Sequence, residues 1–134
     1  MKQINVVVIG ARGYTGSELL PILEQHPQCV ISAVGSGSAA GQPLSEHIPG
    51  LENSKLVFSD IRSDNLEEYP GDLYILALPN GQAPDYVAAI DEHFPESVVI
   101  DLSADYRFDE SWDYGQPERF PGKLKGAKRI ANPG

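Results

Sequence analysis

Cysteine is almost missing: Cys29 is the only one among 134 residues. A single thiol cannot close an intramolecular disulfide, and such scarcity favours a reducing compartment, read here as the cytoplasm. No apolar run reaches about 18 residues, which excludes an ordinary membrane-spanning helix. The opening stretch MKQINVVVIG has one lysine and a short apolar run with no small-residue cleavage site behind it. It reads as a buried first strand rather than a secretory signal. Basic residues are scarce as well. Ten Lys and Arg against nineteen Asp and Glu leave a formal net charge of -9, which argues against DNA, RNA and anionic membrane as partners. An acidic chain that binds an anion must do so with local dipoles and a few placed arginines. His26, His47 and His93 are scattered and show no metal-ligand spacing among themselves or with Cys29, so no metal site is expected.

What is present is the pattern of one ordinary domain. The chain is 41% apolar and 22% charged, enough for a real core. Ile4 to Ile9, Leu73 to Leu78 and Val98 to Leu102 are short, continuous apolar runs, as strands buried on both faces of a parallel sheet read. Cys29 to Val34 is a fourth such run, and Lys55 to Ser59 a weaker fifth. Between them, Thr15 to Gln25 and Ala83 to Phe94 carry apolar residues at helical spacing. This alternation predicts an α/β, Rossmann-like doubly wound fold, a mainly parallel sheet with helices on both faces. Pro21 falls beyond the first turn of the first helix, where it removes a hydrogen bond or kinks the axis. Gly35 to Gly41 reads as a loop, and Asp109 to Lys125 as a polar excursion that Trp112 and Tyr114 pack onto the domain.

The chemistry begins at residues 10 to 16, GARGYTG, between the first strand and the first helix. Gly10 can make the tight turn, Gly13 can admit a phosphate close to the backbone, and Gly16 can let helix and sheet approach. The free N–H groups at the helix start favour a pyrophosphate. Arg12, Tyr14 and Thr15 lie in the same stretch and join the candidate cofactor-binding set. An NAD site usually places an acid about 20 positions beyond the glycines, on the ribose 2′-hydroxyl. Here that region is Gly35-Ser36-Gly37-Ser38, with no acid before Glu46. Ser36 and Ser38 can donate to a 2′-phosphate that no carboxylate repels, and Arg12 either reaches the same group or is simply a solvated loop residue. The expected cofactor is therefore NADP.

Ligands of such folds sit beyond the carboxyl ends of the strands. The third run ends at Pro79-Asn80-Gly81 and the fourth in DLSADYR, Asp101 to Arg107. Ser103 can hydrogen-bond a nicotinamide or a ribose. Arg107 either grips an anion with its planar fork or pairs with Asp105 or Asp109 on the surface. Asp101 and Asp105 suggest acid–base work, although Asp101, at a strand end, reads as structural. Cys29 opens a buried strand and reads as inert packing.

Taken together, GARGYTG, LALPNGQ, VVIDLSADYRF and IANPG resemble the N-acetyl-gamma-glutamyl-phosphate reductases, the arginine-biosynthesis family, from Val6 to Gly134. The resemblance implies that residues 1–134 are the NADP-binding part of a longer enzyme, whose catalytic cysteine would follow Gly134 and whose catalytic and dimerisation domain lies outside this chain. No catalytic residue is then expected within it. The implied reaction is thiolate attack on an acyl phosphate, loss of phosphate to leave a thioester, and NADPH-dependent reduction to the semialdehyde. Gly10, Gly13 and Gly16 would hold the pyrophosphate, Pro79 and Gly81 line the nicotinamide side, and Ser103 and Arg107 face the reacting centre. Arg107 would bind the substrate's phosphate and Asn132 would position substrate. The parent would be a homo-oligomer acting on a small molecule; this chain alone would bind cofactor without turnover and tend to self-associate. The sequence departs from the family pattern at Arg12, where a small Ser or Thr is usual, and in the 35 to 41 loop, which lacks a basic residue some members carry. Two other readings are a non-catalytic NADP-binding sensor or scaffold, and an aspartate-semialdehyde dehydrogenase-like enzyme, against which DLSADYR argues.

Overall fold

The computed structural model describes residues 3–10, 14–103, 105–106, 109, 111–114 and 128–131. Its elements are strands β1 (Ile4–Ile9), β2 (Cys29–Gly35), β3 (Leu73–Leu76), β4 (Val98–Asp101), β5 (Asp113–Tyr114) and β6 (Arg129–Ala131), with helices α1 (Tyr14–Gln25) and α2 (Ala83–His93). The strands form one sheet in the order β2-β1-β3-β4-β6-β5, and every pairing in it is parallel. The two predicted helices and the four stronger predicted strands are present within a residue or two of their ends.

Alternation along the strands builds a core on each face. Val6 and Val8 of β1 and Ile75 of β3 join Leu20 and Leu23 of α1 on one side. Val7 and Ile9, with Tyr74 and Leu76 of β3, join Val87 and Ile90 of α2 on the other. Both faces are buried, so the two central strands read as unbroken apolar runs. In β2 the register shifts between Val6 and Val7 of its partner, and the hydroxyl of Ser32, left between the two registers, donates to the Val6 carbonyl at 3.2 Å. Pro21 does not end α1, which continues through it to Gln25; its ring lies against the backbone of Gly50, where an added Cβ would stand 3.1 Å from it.

Lys55 to Ser59 forms no regular strand. It makes two single bridges, Gly35 with Ser59 in parallel and Pro43 with Val57 in antiparallel. Phe58 belongs to the first core and Ile61 to the second. The chain therefore crosses from one face of the sheet to the other at the carboxyl end of β2 instead of running alongside it. This crossing brings residues 60 to 64 to the end of the sheet where ligands of such folds bind.

Candidate functional site

β1 has β2 on one side and β3 on the other, so the chain reverses its direction of travel across the sheet between β1 and β3. In open parallel sheets that reversal opens a crevice at the carboxyl edge. Gly10 stands in it. Its φ is +88°, and an added Cβ would lie 2.4 Å from the Ala77 carbonyl oxygen, so only glycine fits. Its N–H donates to the Gly35 carbonyl at 2.9 Å, while the Ala77 N–H donates to the Ile9 carbonyl at 2.8 Å. The ends of three strands are thus locked together at one residue. Arg12 and Gly13 fall outside the described residues; Tyr14 and Thr15 open α1, and Gly16 is buried in its first turn.

The loop after β2 has two differently placed serines. Ser36 is buried and its hydroxyl accepts the Ala39 N–H at 3.3 Å, which folds the loop; Ser38 is exposed, with its hydroxyl 3.4 Å from that of Ser36. The expectation that no carboxylate approaches this loop needs correcting. Asp60 is brought in by the Gly35–Ser59 bridge and by the Ser36 N–H bond to the Ser59 carbonyl, 2.9 Å. Its Oδ1 stands 3.8 Å from where a Cβ on Gly37 would lie. Arg62 comes with it. Its Nη1 bonds Asp60 and its Nε bonds Asp64, each at 2.9 Å. The hydrogen bond to Asp64, then that to Asp60, raises the guanidinium pKa above its ordinary value. Sequence reasoning missed both residues because they are more than 20 positions from the loop they join.

Pro79 and Gly81 lie exposed just beyond β3, as expected, with Gly81 at φ +93° and open space where its Cβ would stand. The Gly81 N–H donates to both carboxylate oxygens of Asp105, at 2.8 and 2.9 Å, and the Ala83 N–H donates to one at 3.2 Å. Asp105 thus joins the loop after β3 to the turn after β4. Gln82 holds the N-cap position of α2 but its side chain makes no capping hydrogen bond; a glutamine where Ser, Thr, Asp or Asn is usual is the trace in the sequence that the free N–H groups find an acceptor elsewhere. Asp101 is fully buried at the end of β4, in agreement with its structural reading. It accepts the Ser103 N–H at 3.0 Å and the Ser103 hydroxyl at 2.9 and 2.7 Å. Ser103, proposed for the cofactor, is itself buried, and its oxygen accepts the Asp105 N–H at 3.2 Å. Arg107 and Asn132 lie outside the described residues. The Asp109 carboxylate accepts the N–H and hydroxyl of Ser111. Those two bonds hold the Asp109 carboxyl below its ordinary pKa, the hydroxyl bond contributing most. Trp112 is buried in the second core and stacks on Tyr106 with ring centroids 4.1 Å apart, so it packs the start of the excursion onto the domain; the Tyr114 side chain and residues 115–127 lie outside the described residues.

A switch-point crevice with a glycine lock, a following helix start and a serine loop is the arrangement that dinucleotide-binding domains use. The sequence model described as "Semialdehyde dehydrogenase, NAD binding domain" matches residues 5–127. The chain belongs to this family. The N-acetyl-gamma-glutamyl-phosphate reductase of Xanthomonas axonopodis pv. citri is 47% identical over 127 residues, 95% of this chain and 40% of that protein. The enzyme of the same name from Xanthomonas euvesicatoria pv. vesicatoria is 46% identical over 134 residues, 100% of this chain and 42% of the relative. The chain therefore spans about two fifths of the length of these relatives. The structure of aspartate semialdehyde dehydrogenase with NADP from Candida albicans superposes with a TM-score of 0.72 at 19% identity, over 98% of this chain and 42% of that one. At that identity the likeness is one of fold, and it agrees with the doubly wound domain described above. The resemblance drawn from the sequence motifs stands. Among the described residues no helix is long and apolar enough to cross a membrane, and no three His, Cys, Asp or Glu side chains are grouped to hold a metal.

Proposed function

We propose that this chain is the NADP(H)-binding part of an N-acetyl-gamma-glutamyl-phosphate reductase. The observation that carries the reading is the likeness, along all of this chain, to two fifths of reductases of that name, on a fold that locks Gly10 at its switch point. The residues fit the cofactor on chemical grounds. Gly10 makes the tight turn against Ala77, and with Gly13 and Gly16 it would hold a pyrophosphate at the start of α1, whose amide dipoles offset the acidity of the chain. Arg62 supplies the cation that the 35 to 41 loop lacks, and with Ser38 and Arg12 it would meet the 2′-phosphate. Pro79 and Gly81 would flank the nicotinamide.

When bound, the cofactor supplies the hydride. The chain's own residues bind and orient. Arg107, with its planar fork, would hold the phosphate of the acyl-phosphate substrate, and Asn132 the substrate beside a cysteine thiolate placed after Gly134 in the whole protein. That thiolate would displace inorganic phosphate from the acyl carbon to leave a thioester, whose reduction would release the semialdehyde and restore the thiolate. Homo-oligomerisation belongs to the same proposal for the whole protein.

Titration of the 134-residue chain with NADPH and NADH, by calorimetry or nicotinamide fluorescence and with Arg12→Ala alongside, tests the cofactor assignment. NADPH is expected to bind more tightly than NADH. Failure of both to bind would overturn the proposal for this chain.

A further inference from the structure

We propose that Asp105 is a positioning residue for the nicotinamide half of the cofactor, a clamp that fixes the Pro79–Gln82 loop from across the crevice. The inference rests on the cofactor reading above and deepens it.

Within the loop the Gln82 N–H donates to the Pro79 carbonyl at 3.3 Å, a long bond that closes the turn but leaves the Gly81 N–H to be met from elsewhere. Gly81 has a positive φ and nothing within 4 Å of where its Cβ would stand, so neighbouring side chains do not impose its shape. Gln82 gives α2 no side-chain cap, and Pro84, in the first turn, brings no N–H. From across the crevice the loop is fastened by the Gly81 and Ala83 N–H groups, which together make three contacts to one carboxylate. A glycine that could otherwise visit many conformations is held in one.

The clamp is itself anchored in the sheet. Asp101 is buried at the end of β4, the Ser103 hydroxyl donates to it, and the Ser103 oxygen receives the N–H of Asp105. A continuous line of hydrogen bonds thus runs from the centre of the sheet through Asp101, Ser103 and Asp105 to Gly81 and the first turn of α2. On its far side α2 is tied by the Tyr86 hydroxyl to the Ile61 carbonyl, 3.0 Å.

The charge of the clamp has a second effect. Two helices, α1 and α2, begin at the carboxyl edge of the sheet, and each start attracts an anion. The Asp105 carboxylate fills the start of α2. Anionic groups of the cofactor are left with α1, so the clamp also fixes which way round the dinucleotide lies.

The test compares two probes on the 134-residue chain: NADPH, and adenosine 2′,5′-bisphosphate, which has the adenylate half only. Asp105→Ala is expected to weaken NADPH by about tenfold, as for loss of hydrogen bonds to a charged group, while changing the adenylate probe by less than about twofold. Asp105→Asn keeps the shape and one acceptor oxygen, and is expected to fall between. It also carries the test if the alanine variant does not fold. In its amide spectrum the Gly81 proton should move upfield as the charged acceptor is lost. Equal weakening of both probes, or none of either, would overturn the clamp as a positioning device and reduce Asp105 to a helix cap. If wild type binds neither probe, the cofactor reading fails first, and the clamp with it.

Discussion

Arg62 shows how much one side chain can decide. It is bonded to Asp60, whose other carboxylate oxygen faces Gly37, and to Asp64, and its side chain is 55% exposed. A 2′-phosphate offers the guanidinium a doubly charged partner in place of Asp60, whereas a 2′-hydroxyl leaves Asp60 as the acceptor. Arg62→Ala is therefore expected to lower NADPH affinity by about tenfold, with NADH affected by less than about twofold, read from paired titrations. Equal losses would show that Arg62 does not meet the 2′-group. Because the side chain is exposed, the substitution should leave the melting transition in place, which separates recognition from stability.

At the scale of elements, β3 carries a prediction of its own. Tyr74 is fully buried, and its hydroxyl donates to the Tyr69 carbonyl at 2.7 Å. Burial pushes its pKa from 10.0 up to about 12. Below pH 10 neither folded nor unfolded chain loses this proton, so stability there is unaffected. Between pH 10 and about 12 the unfolded chain gives up the proton more readily, and stability falls as pH rises. Tyr74→Phe should remove that part of the alkaline loss, seen in urea midpoints measured across the range, while costing about 1 kcal/mol at neutral pH for the lost hydrogen bond. The strands and helices were legible because β1 and β3 are apolar on both faces and α1 and α2 on one, and local periodicity records that. The glycine turn was legible for the same reason: its spacing is short. Lys55 to Ser59 misled because a short apolar run reads the same whether it pairs alongside β2 or crosses its end. Asp60 and Arg62 escaped, and Asp105 was read for acid–base work or as a partner of Arg107 and not for its hold on Gly81, because each acts on a loop distant in sequence and no local pattern carries such a partnership. Asp105 alone left a trace, in the missing cap of α2.

For the molecule as a whole, charge is the dominant imbalance. A net charge of -9 repels itself more in the compact chain than in the open one, and ion pairs such as Lys128 with Glu96 lie at the surface, where they contribute little. Raising sodium chloride from about 0.02 M to about 0.5 M should lift the melting temperature by a few degrees, since screening shortens the reach of that repulsion. A flat or falling response would mean that the surface pairs outweigh the repulsion. The sheet order has a consequence of another kind, in the timing of synthesis. Asn5 of β1 meets Asp72, 67 positions later, so a growing chain exposes the Val7–Ile9 face of β1 until β3 is made. At ribosomal speeds that interval is on the order of 3 to 13 s. For those seconds the first strand–helix–strand unit has one finished face and one sticky one, and a chaperone that holds nascent apolar strands would find its target in β1.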